Sequence, residues 1–362
     1  MTNQSVLTIN DLCTEFTTDD GVVRVLDGVS FDVPKGKTLG IVGESGCGKS
    51  VTAMSIMGLL PKPFGQVVAG CIVYSNHDAG APSDVDLLQL PVEQMYRMRG
   101  NRISMIFQDP MTALNPVHTI GKQLIEVLQL HRSELNKKQR YLAALEMLEK
   151  VGIPSAKQRM LEFPHLLSGG MRQRVMIAMA LACRPDVLIC DEPTTALDVT
   201  VQAQILDLMQ ELQAETGMSI IFITHDLGVV AEICDQVVVM YAGKVVEQAD
   251  IFELFDHPSH PYTQGLLTSM PSINGVPKSL LPTIEGSVPA LSNMPTGCRF
   301  ASRCQYAQAL CHQSEPELSS VSEPKVSELH LVSCHFWSQL DSLSQSGTVT
   351  SANPSLTGEK HV

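Results

Sequence analysis

Residues 43–50 read Gly43-Glu44-Ser45-Gly46-Cys47-Gly48-Lys49-Ser50, and the spacing G-x-x-x-x-G-K-S is that of a phosphate-binding P-loop. Thr38-Leu39-Gly40-Ile41-Val42, just before it, reads as a short buried strand, and the stretch 50–60 just after it carries apolar residues at helical spacing. A P-loop requires that strand–loop–helix context. The glycines let backbone N–H groups curl around phosphate oxygens, and the helix N-terminus adds a dipole that favours anions. Lys49 is expected to reach the β- and γ-phosphates, and Ser50 to help hold Mg²⁺. Gly43, Ser45, Gly46, Cys47, Gly48, Lys49, Ser50 and Val51 are therefore the candidate nucleotide-binding residues of this loop. Cys47, among N–H donors and beside Lys49, is expected to favour its thiolate.

The bounds set by composition agree with a globular nucleotide-binding chain. Of 362 residues, 44% are hydrophobic and 17% charged, enough for a large core. A net charge of -13 argues against a protein that coats nucleic acid, which needs a basic face. The first residues lack a basic start followed by an apolar run, and no apolar run reaches the length that spans a bilayer. The expectation is a soluble protein, or one held at a membrane by partners. Its ten cysteines are then expected to be thiols or metal ligands rather than disulfides.

Several acids, amides and one histidine fall at predicted strand ends. Residues 6–33 read as antiparallel strands with turns at Asp19-Asp20-Gly21 and Asp27-Gly28, and they carry Phe16, a core aromatic or a base-stacking one. Gln108 leaves the apolar strand 103–107, placed to ligate Mg²⁺ or position water. Residues 120–174 have a helical pattern. Leu167-Ser168-Gly169-Gly170 opens a further helix with a second phosphate-friendly N-terminus. The strand 187–190 ends in Asp191 and Glu192, where ligands bind in open α/β sheets. Asp191 suits Mg²⁺ coordination, and Glu192 suits polarising an attacking water. The strand 219–224 ends in His225 at the same edge.

In that order, these segments resemble the motifs of an ATP-binding cassette (ABC) ATPase. The P-loop is similar to Walker A, Gln108 to the Q-loop, Leu167–Gly170 to the signature, Asp191-Glu192 to Walker B, Ala196-Leu197-Asp198 to the D-loop and His225 to the switch histidine. The resemblance covers about residues 6–247 and implies a P-loop α/β core with an antiparallel β flank and a helical subdomain. It implies ATP and Mg²⁺ as ligands. It also places Phe16 against adenine, and Ser168, Gly169, Gly170 and Asp198 against nucleotide shared between two cassettes. Cys47 stands where the family carries Ser, with its side chain expected to face away from the phosphates.

Finer motifs narrow the resemblance. The Q-loop stretch Ile106–Pro116, the signature stretch Leu167–Arg174 and His257-Pro258-Ser259-His260-Pro261-Tyr262-Thr263 look like the ATPases of dipeptide, oligopeptide and nickel importers. That likeness implies a second, homologous ATPase subunit as a heterodimer partner, two membrane permease subunits, an extracytoplasmic substrate-binding protein, and a peripheral place on the cytoplasmic face of the membrane. Nickel or another small solute is an alternative cargo. A soluble DNA-repair or ribosome-type cassette is a poorer match, for want of a long coiled-coil insertion or an internal repeat.

The expected boundaries are a cassette over 1–255 with its helical subdomain near 98–180, a small C-terminal domain over 256–337, and a Ser-, Thr- and Asn-rich disordered tail over 338–362. The C-terminal region holds Cys298, Cys304, Cys311 and Cys334. Four thiols there can hold an iron–sulfur cluster or zinc, or remain free; their spacing lacks the paired C-x-x-C of common zinc sites. By resemblance, some peptide-importer ATPases carry a [4Fe–4S] cluster on such cysteines. Cys13, Cys71, Cys183, Cys190 and Cys234 lie in apolar segments and are expected in the core.

Overall fold

The computed structural model describes residues 4–19, 21–76, 84–108, 113–194, 199–270, 282–321 and 329–340. The chain begins with two long strands, β1 (Ser5–Thr18) and β2 (Gly21–Pro34), paired antiparallel. Asp27-Gly28, expected to form a turn, lies inside β2. Leu12 pairs with Val29 and Thr14 with Leu26, so Asp27 and Gly28 together oppose Cys13, and Gly28 takes φ 70°. That is a β-bulge, which bends a strand instead of reversing it. The Cys13 Sγ accepts the Gly28 N–H at 3.2 Å, and the Cys71 Sγ accepts from the Asn10 side chain at 3.8 Å. These two thiols are half-buried partners of the outer sheet, whereas Cys183, Cys190 and Cys234 are buried in the core.

β3 (Thr38–Val42) leads through the P-loop into α1 (Lys49–Met57). β4 (Gly65–Ser75) and β5 (Asp84–Asp86) complete a four-stranded antiparallel flank in the order β2-β1-β4-β5. After α2 (Val92–Met98) and β6 (Ile103–Ile106), the chain enters a helical region. It comprises α3 (Ile120–His131), α4 (Lys137–Lys150), α5 (Ala156–Arg159) and α6 (Gly169–Leu181). Side-chain caps set its helix starts: Thr119 caps α3, Asn136 and Gln139 form a capping box on α4, and Ser168 caps α6.

The chain then returns to the main sheet through β7 (Val187–Asp191), α7 (Val199–Thr216), β8 (Ser219–Thr224), α8 (Leu227–Ile233), β9 (Gln236–Tyr241) and β10 (Lys244–Asp250). α9 (Ile251–Asp256), α10 (Pro261–Thr268), α11 (Ala309–Gln313), β11 (Ser319–Ser320) and β12 (His330–Val332) follow. The eight-stranded sheet has the order β11-β12-β10-β9-β3-β8-β7-β6. From β9 to β6 its strands are parallel, and β12 pairs antiparallel with β10. The residues past the cassette thus extend the cassette's own sheet.

The parallel strands are covered on both faces, which explains why β3, β7 and β8 are buried at every position. Alternate side chains serve two cores. Leu39, Ile41, Val187, Ile189, Ile221 and Ile223 pack with the β flank and α1, while Val42, Leu188, Cys190, Ile220 and Phe222 pack with the helical side. The fold is α/β, with a P-loop core, an antiparallel flank and a helical region. Trp337–Gln339 form a helical turn and Leu340 is buried, so packed chain continues past residue 338, where the tail was expected to start. Residues 341–362 lie outside the described residues.

Candidate functional site

Parallel pairing lines up the carboxyl ends of four strands. Val42 pairs with Thr224, Ile223 with Asp191, and Cys190 with Ile106. The residues that leave those ends, Gly43, His225, Glu192 and Gln108, therefore meet along one edge, as ligand sites do in such sheets.

The P-loop can make its turn only with glycine at its tightest points. Gly43 has φ 150°, and a Cβ there would stand 2.2 Å from the Met240 carbonyl oxygen. Gly48 has φ 105°, and a Cβ there would meet Leu26 at 2.6 Å. Lys49 is 5% exposed, and its Nζ donates to the carbonyls of Gly43 at 2.7 Å and Glu44 at 3.1 Å. The ammonium thus caps the loop's own carbonyls at the place a phosphate enters. Ser50 Oγ donates to Asp191 Oδ1 at 3.0 Å. Burial raises the Asp191 pKa above the ordinary carboxylate value, against the Ser50 hydrogen bond and the Lys49 charge that lower it. A divalent cation at this point would favour the charged form of Asp191.

Glu192 adopts φ 47°, a left-handed conformation rare outside glycine, and its N–H donates to the Ile223 carbonyl at 2.9 Å. Gln108 Nε2 donates to Glu192 Oε2 at 3.1 Å, and His225 Nδ1 lies 3.2 Å from Oε1. Gln108, Glu192 and His225 are thus brought into one hydrogen-bonded set.

A cleft of about 680 Å³ is lined by Phe16, Thr18, Val23, Val25, Ser45, Gly46, Gly48, Lys49, Ser50, Val51, Gln108, Glu192, Leu291 and Ser292. That volume lies within the usual range for small-ligand sites. The ring of Phe16 packs over Gly65, where a Cβ would be 2.9 Å from Cε1, and it lines the cleft together with Val23, Val25 and Leu291. Ser168 Oγ accepts the Met171 N–H at 3.3 Å as the cap of α6; Ser168, Gly169 and Gly170 are not among the residues lining this cleft. Asp198 lies outside the described residues.

Cys47 differs from its sequence expectation. It is fully buried, with Lys49 Nζ at 3.8 Å from its Sγ. Burial pushes its thiol pKa up and outweighs Lys49, so the thiol form is favoured. It is not among the residues that line the cleft.

Sequence reasoning missed the part that the C-terminal region plays here. Leu291 and Ser292 wall the cleft, Tyr262 Oη accepts the Glu44 N–H at 2.8 Å, and Arg303 Nη1 donates to Glu44 Oε2 at 2.9 Å. These contacts span more than two hundred residues, and no local pattern announces them.

Cys298, Cys304, Cys311 and Cys334 line one apolar cavity with His260, Phe300 and His335. Burial is the first cause of the raised thiol pKa of Cys304, pushed up to about 12, and of Cys334, pushed up to about 11; neighbouring cysteines push both further. Among the described residues, no three His, Cys, Asp or Glu side chains are grouped so as to hold one metal ion. The expected four-thiolate set is thus arranged around a common cavity rather than closed on a single point. No helix among the described residues is long and apolar enough to cross a membrane.

A family model described as ABC transporter matches residues 26–195, and one described as oligopeptide/dipeptide transporter, C-terminal region, matches residues 246–311. A probable peptide ABC transporter ATP-binding protein of Sinorhizobium fredii is 51% identical over 316 residues, 87% of this chain and 92% of that protein. A dipeptide transport ATP-binding protein of Bacillus subtilis is 50% identical over 331 residues, 91% of this chain and 94% of that protein. Among solved structures, a dimeric bacterial ABC transporter cassette aligns with TM-score 0.59 at 25% identity, covering 68% of this chain and 98% of that one. A Clostridium perfringens protein described as part of an ABC transporter complex aligns with TM-score 0.57 at 28% identity, covering 69% of this chain and 90% of that one.

Proposed function

From the premise that this chain belongs to the ABC transporter ATP-binding proteins, as an ATP-hydrolysing subunit, we propose that it drives uptake of di- or oligopeptides through partner membrane subunits. The observation that carries the cargo is the oligopeptide/dipeptide-type region over residues 246–311, together with relatives named for peptide transport.

In the proposed reaction the triphosphate lies along α1's N-terminus, with adenine against Phe16. Backbone N–H groups of Ser45 to Val51, with Lys49 released from the Gly43 and Glu44 carbonyls, hold the phosphates. Ser50, Asp191 and Gln108 would hold Mg²⁺, which would supply positive charge to the phosphate oxygens. Glu192 orients the attacking water and takes its proton; Gln108 and His225 fix the carboxylate that does so. His225, beside Glu192 on the side of the attacking water, stabilises charge on the γ-phosphate.

Ser168, Gly169 and Gly170 stand outside this chain's cleft. That placement supports a second, homologous cassette whose nucleotide they cap at the N-terminus of α6, with Asp198 beside the shared interface. The proposed assembly is a heterodimer of ATPases on the cytoplasmic face of the membrane, with two permease subunits and an extracytoplasmic binding protein. In it residues 1–255 are the cassette, with its helical subdomain near 98–180, and 256–337 are the C-terminal region. Affinity purification from detergent-solubilised membranes tests this. Permeases and a second cassette are expected to co-purify; a chain that elutes free of membrane subunits contradicts the proposal.

The cysteine-lined cavity supports a metal staple for the C-terminal region. Among the described residues no three such side chains are grouped to hold a metal ion; the reading rests on four cysteines that line one cavity, a donor type that [4Fe–4S] and zinc both use. Cys298, Cys304, Cys311 and Cys334 would hold the centre, and binding would release protons from Cys304 and Cys334, whose thiol pKa values burial raises. Its contribution is structural. Anaerobically purified protein is expected to contain iron and sulfide, lost in Cys304→Ser. Four freely titratable thiols in such a preparation contradict this reading.

A further inference from the structure

Glu44 is an awkward residue for a phosphate site. It is the first residue inside the P-loop, and its carboxylate repels an incoming triphosphate unless its charge is neutralised. The region after the cassette supplies the neutralising partner. Arg303 Nη1 donates to Glu44 Oε2 at 2.9 Å, with the arginine side chain 5% exposed and the glutamate 30% exposed. The pair is therefore poorly screened by water on the arginine side.

The guanidinium is preorganised for this role. Its Nε donates to the Glu285 carbonyl at 3.0 Å and its Nη2 to the Ile284 carbonyl at 3.3 Å. It lies over the rings of Tyr241 at 5.7 Å and Phe300 at 6.0 Å. A second group from the same region acts on the same residue, since Tyr262 Oη accepts the Glu44 N–H at 2.8 Å. Tyr262 packs in turn on Tyr241 and Phe300, with ring centroids 4.8 and 5.4 Å apart. Glu44 is thus held at its amide and at its carboxylate from beyond residue 255. Its carbonyl accepts from the Cys47 N–H at 3.3 Å and from Lys49 Nζ at 3.1 Å, and the Lys49 bond is the one that must break when phosphate binds.

We propose that Arg303, assisted by Tyr262, is a positioning residue for nucleotide binding: it neutralises Glu44 and fixes the mouth of the P-loop, so that the C-terminal region sets the affinity of the cassette for ATP. Arg303 acts through Glu44 and does not touch the reacting atoms, so the effect falls on binding and not on turnover at saturation. The proposal rests on the nucleotide site assigned above and is independent of cargo and membrane partners.

The test measures Mg-ATP binding to the full-length chain by calorimetry and, in the purified transporter complex, KM and kcat separately. Wild-type binding checks the nucleotide site itself; the variants check the proposal. Arg303→Ala is expected to raise Kd and KM about tenfold, with kcat changed less than about twofold, as fits loss of one partner of a poorly screened charge pair. Arg303→Lys recovers part of the loss, and Tyr262→Phe costs about threefold for one neutral hydrogen bond. The charge argument is decided by the double-mutant cycle: in a Glu44→Gln background, Arg303→Ala costs less than about threefold, because the charge it neutralised is gone. If Arg303→Ala fails to fold, Arg303→Lys and Tyr262→Phe still give the binding readout. Unchanged Kd in these variants, or an equal loss from Arg303→Ala with and without Glu44, overturns the proposal.

Discussion

Glu247 anchors the C-terminal region to the sheet, and its removal is expected to loosen that region sharply. The residue lies on β10 and is fully buried. Its Oε1 accepts the Ser259 N–H at 2.6 Å and lies 2.8 Å from His330 Nε2; its Oε2 accepts the His260 N–H at 3.0 Å. Ser259 and His260 lead into α10, while His330 is on β12, so one carboxylate joins three segments. Glu247→Ala leaves three buried donors without partners, each worth about 1–3 kcal/mol to desolvate. Some water enters the space left by the side chain, so the expected cost is about 3–5 kcal/mol in total. Glu247→Gln keeps one acceptor oxygen but turns an NH₂ toward a donor, at about half that cost. Amide hydrogen exchange at Ser259 and His260 reads the effect locally, with protection falling at least about a hundredfold in Glu247→Ala. A loss of protection under about fivefold, with protease resistance of residues 256–340 unchanged, would refute the argument.

Three further outcomes follow from the same geometry. His260 is buried with its pKa lowered to about 4, by desolvation first, against the charge of Glu247 that raises it. The unfolded chain thus takes up a proton that the folded chain refuses: the stabilisation is complete above about pH 6.5 and falls by about 3 kcal/mol as pH drops toward 4. His260→Asn, which keeps a side-chain acceptor for the Tyr262 N–H, is expected to flatten that part of the stability–pH curve; an unchanged curve contradicts the assignment. Cys47, buried and protonated, is expected to react with maleimides far more slowly than free cysteine in the folded chain; labelling at the free-thiol rate contradicts its burial. Phe16→Ala is expected to weaken ATP binding by about 1–2 kcal/mol while leaving inorganic triphosphate binding unchanged, since only the base stacks on the ring; equal losses for both ligands would place the effect on the P-loop instead.

Much of the site could be read from sequence because its chemistry is local. Gly43–Ser50, Asp191-Glu192, Gln108 and His225 each sit at the end of a strand whose apolar run is legible, and parallel pairing then brings the strand ends together. The left-handed Glu192 could not be foreseen, because its backbone is fixed by the bond to the Ile223 carbonyl from a neighbouring strand. Asp27-Gly28 carries a turn signal that was overridden by pairing with β1, which accommodated the extra residue as a bulge. Cys47 has the local surroundings of an activated thiol, yet burial against the sheet decides its protonation. The grip of Tyr262 and Arg303 on Glu44 is purely tertiary and leaves no trace in either segment alone.

Peptide-stimulated ATP turnover in proteoliposomes tests the central claim most directly, using the chain with its co-purified cassette, permeases and binding protein. Cognate di- or oligopeptide is expected to accelerate hydrolysis and to accumulate on the far side of the membrane. Glu192→Gln is expected to retain bound ATP while losing at least about a hundredfold in turnover, together with all uptake, as removal of the water-orienting carboxylate requires. Near-normal turnover in Glu192→Gln, or hydrolysis and uptake indifferent to every peptide offered, would contradict the account.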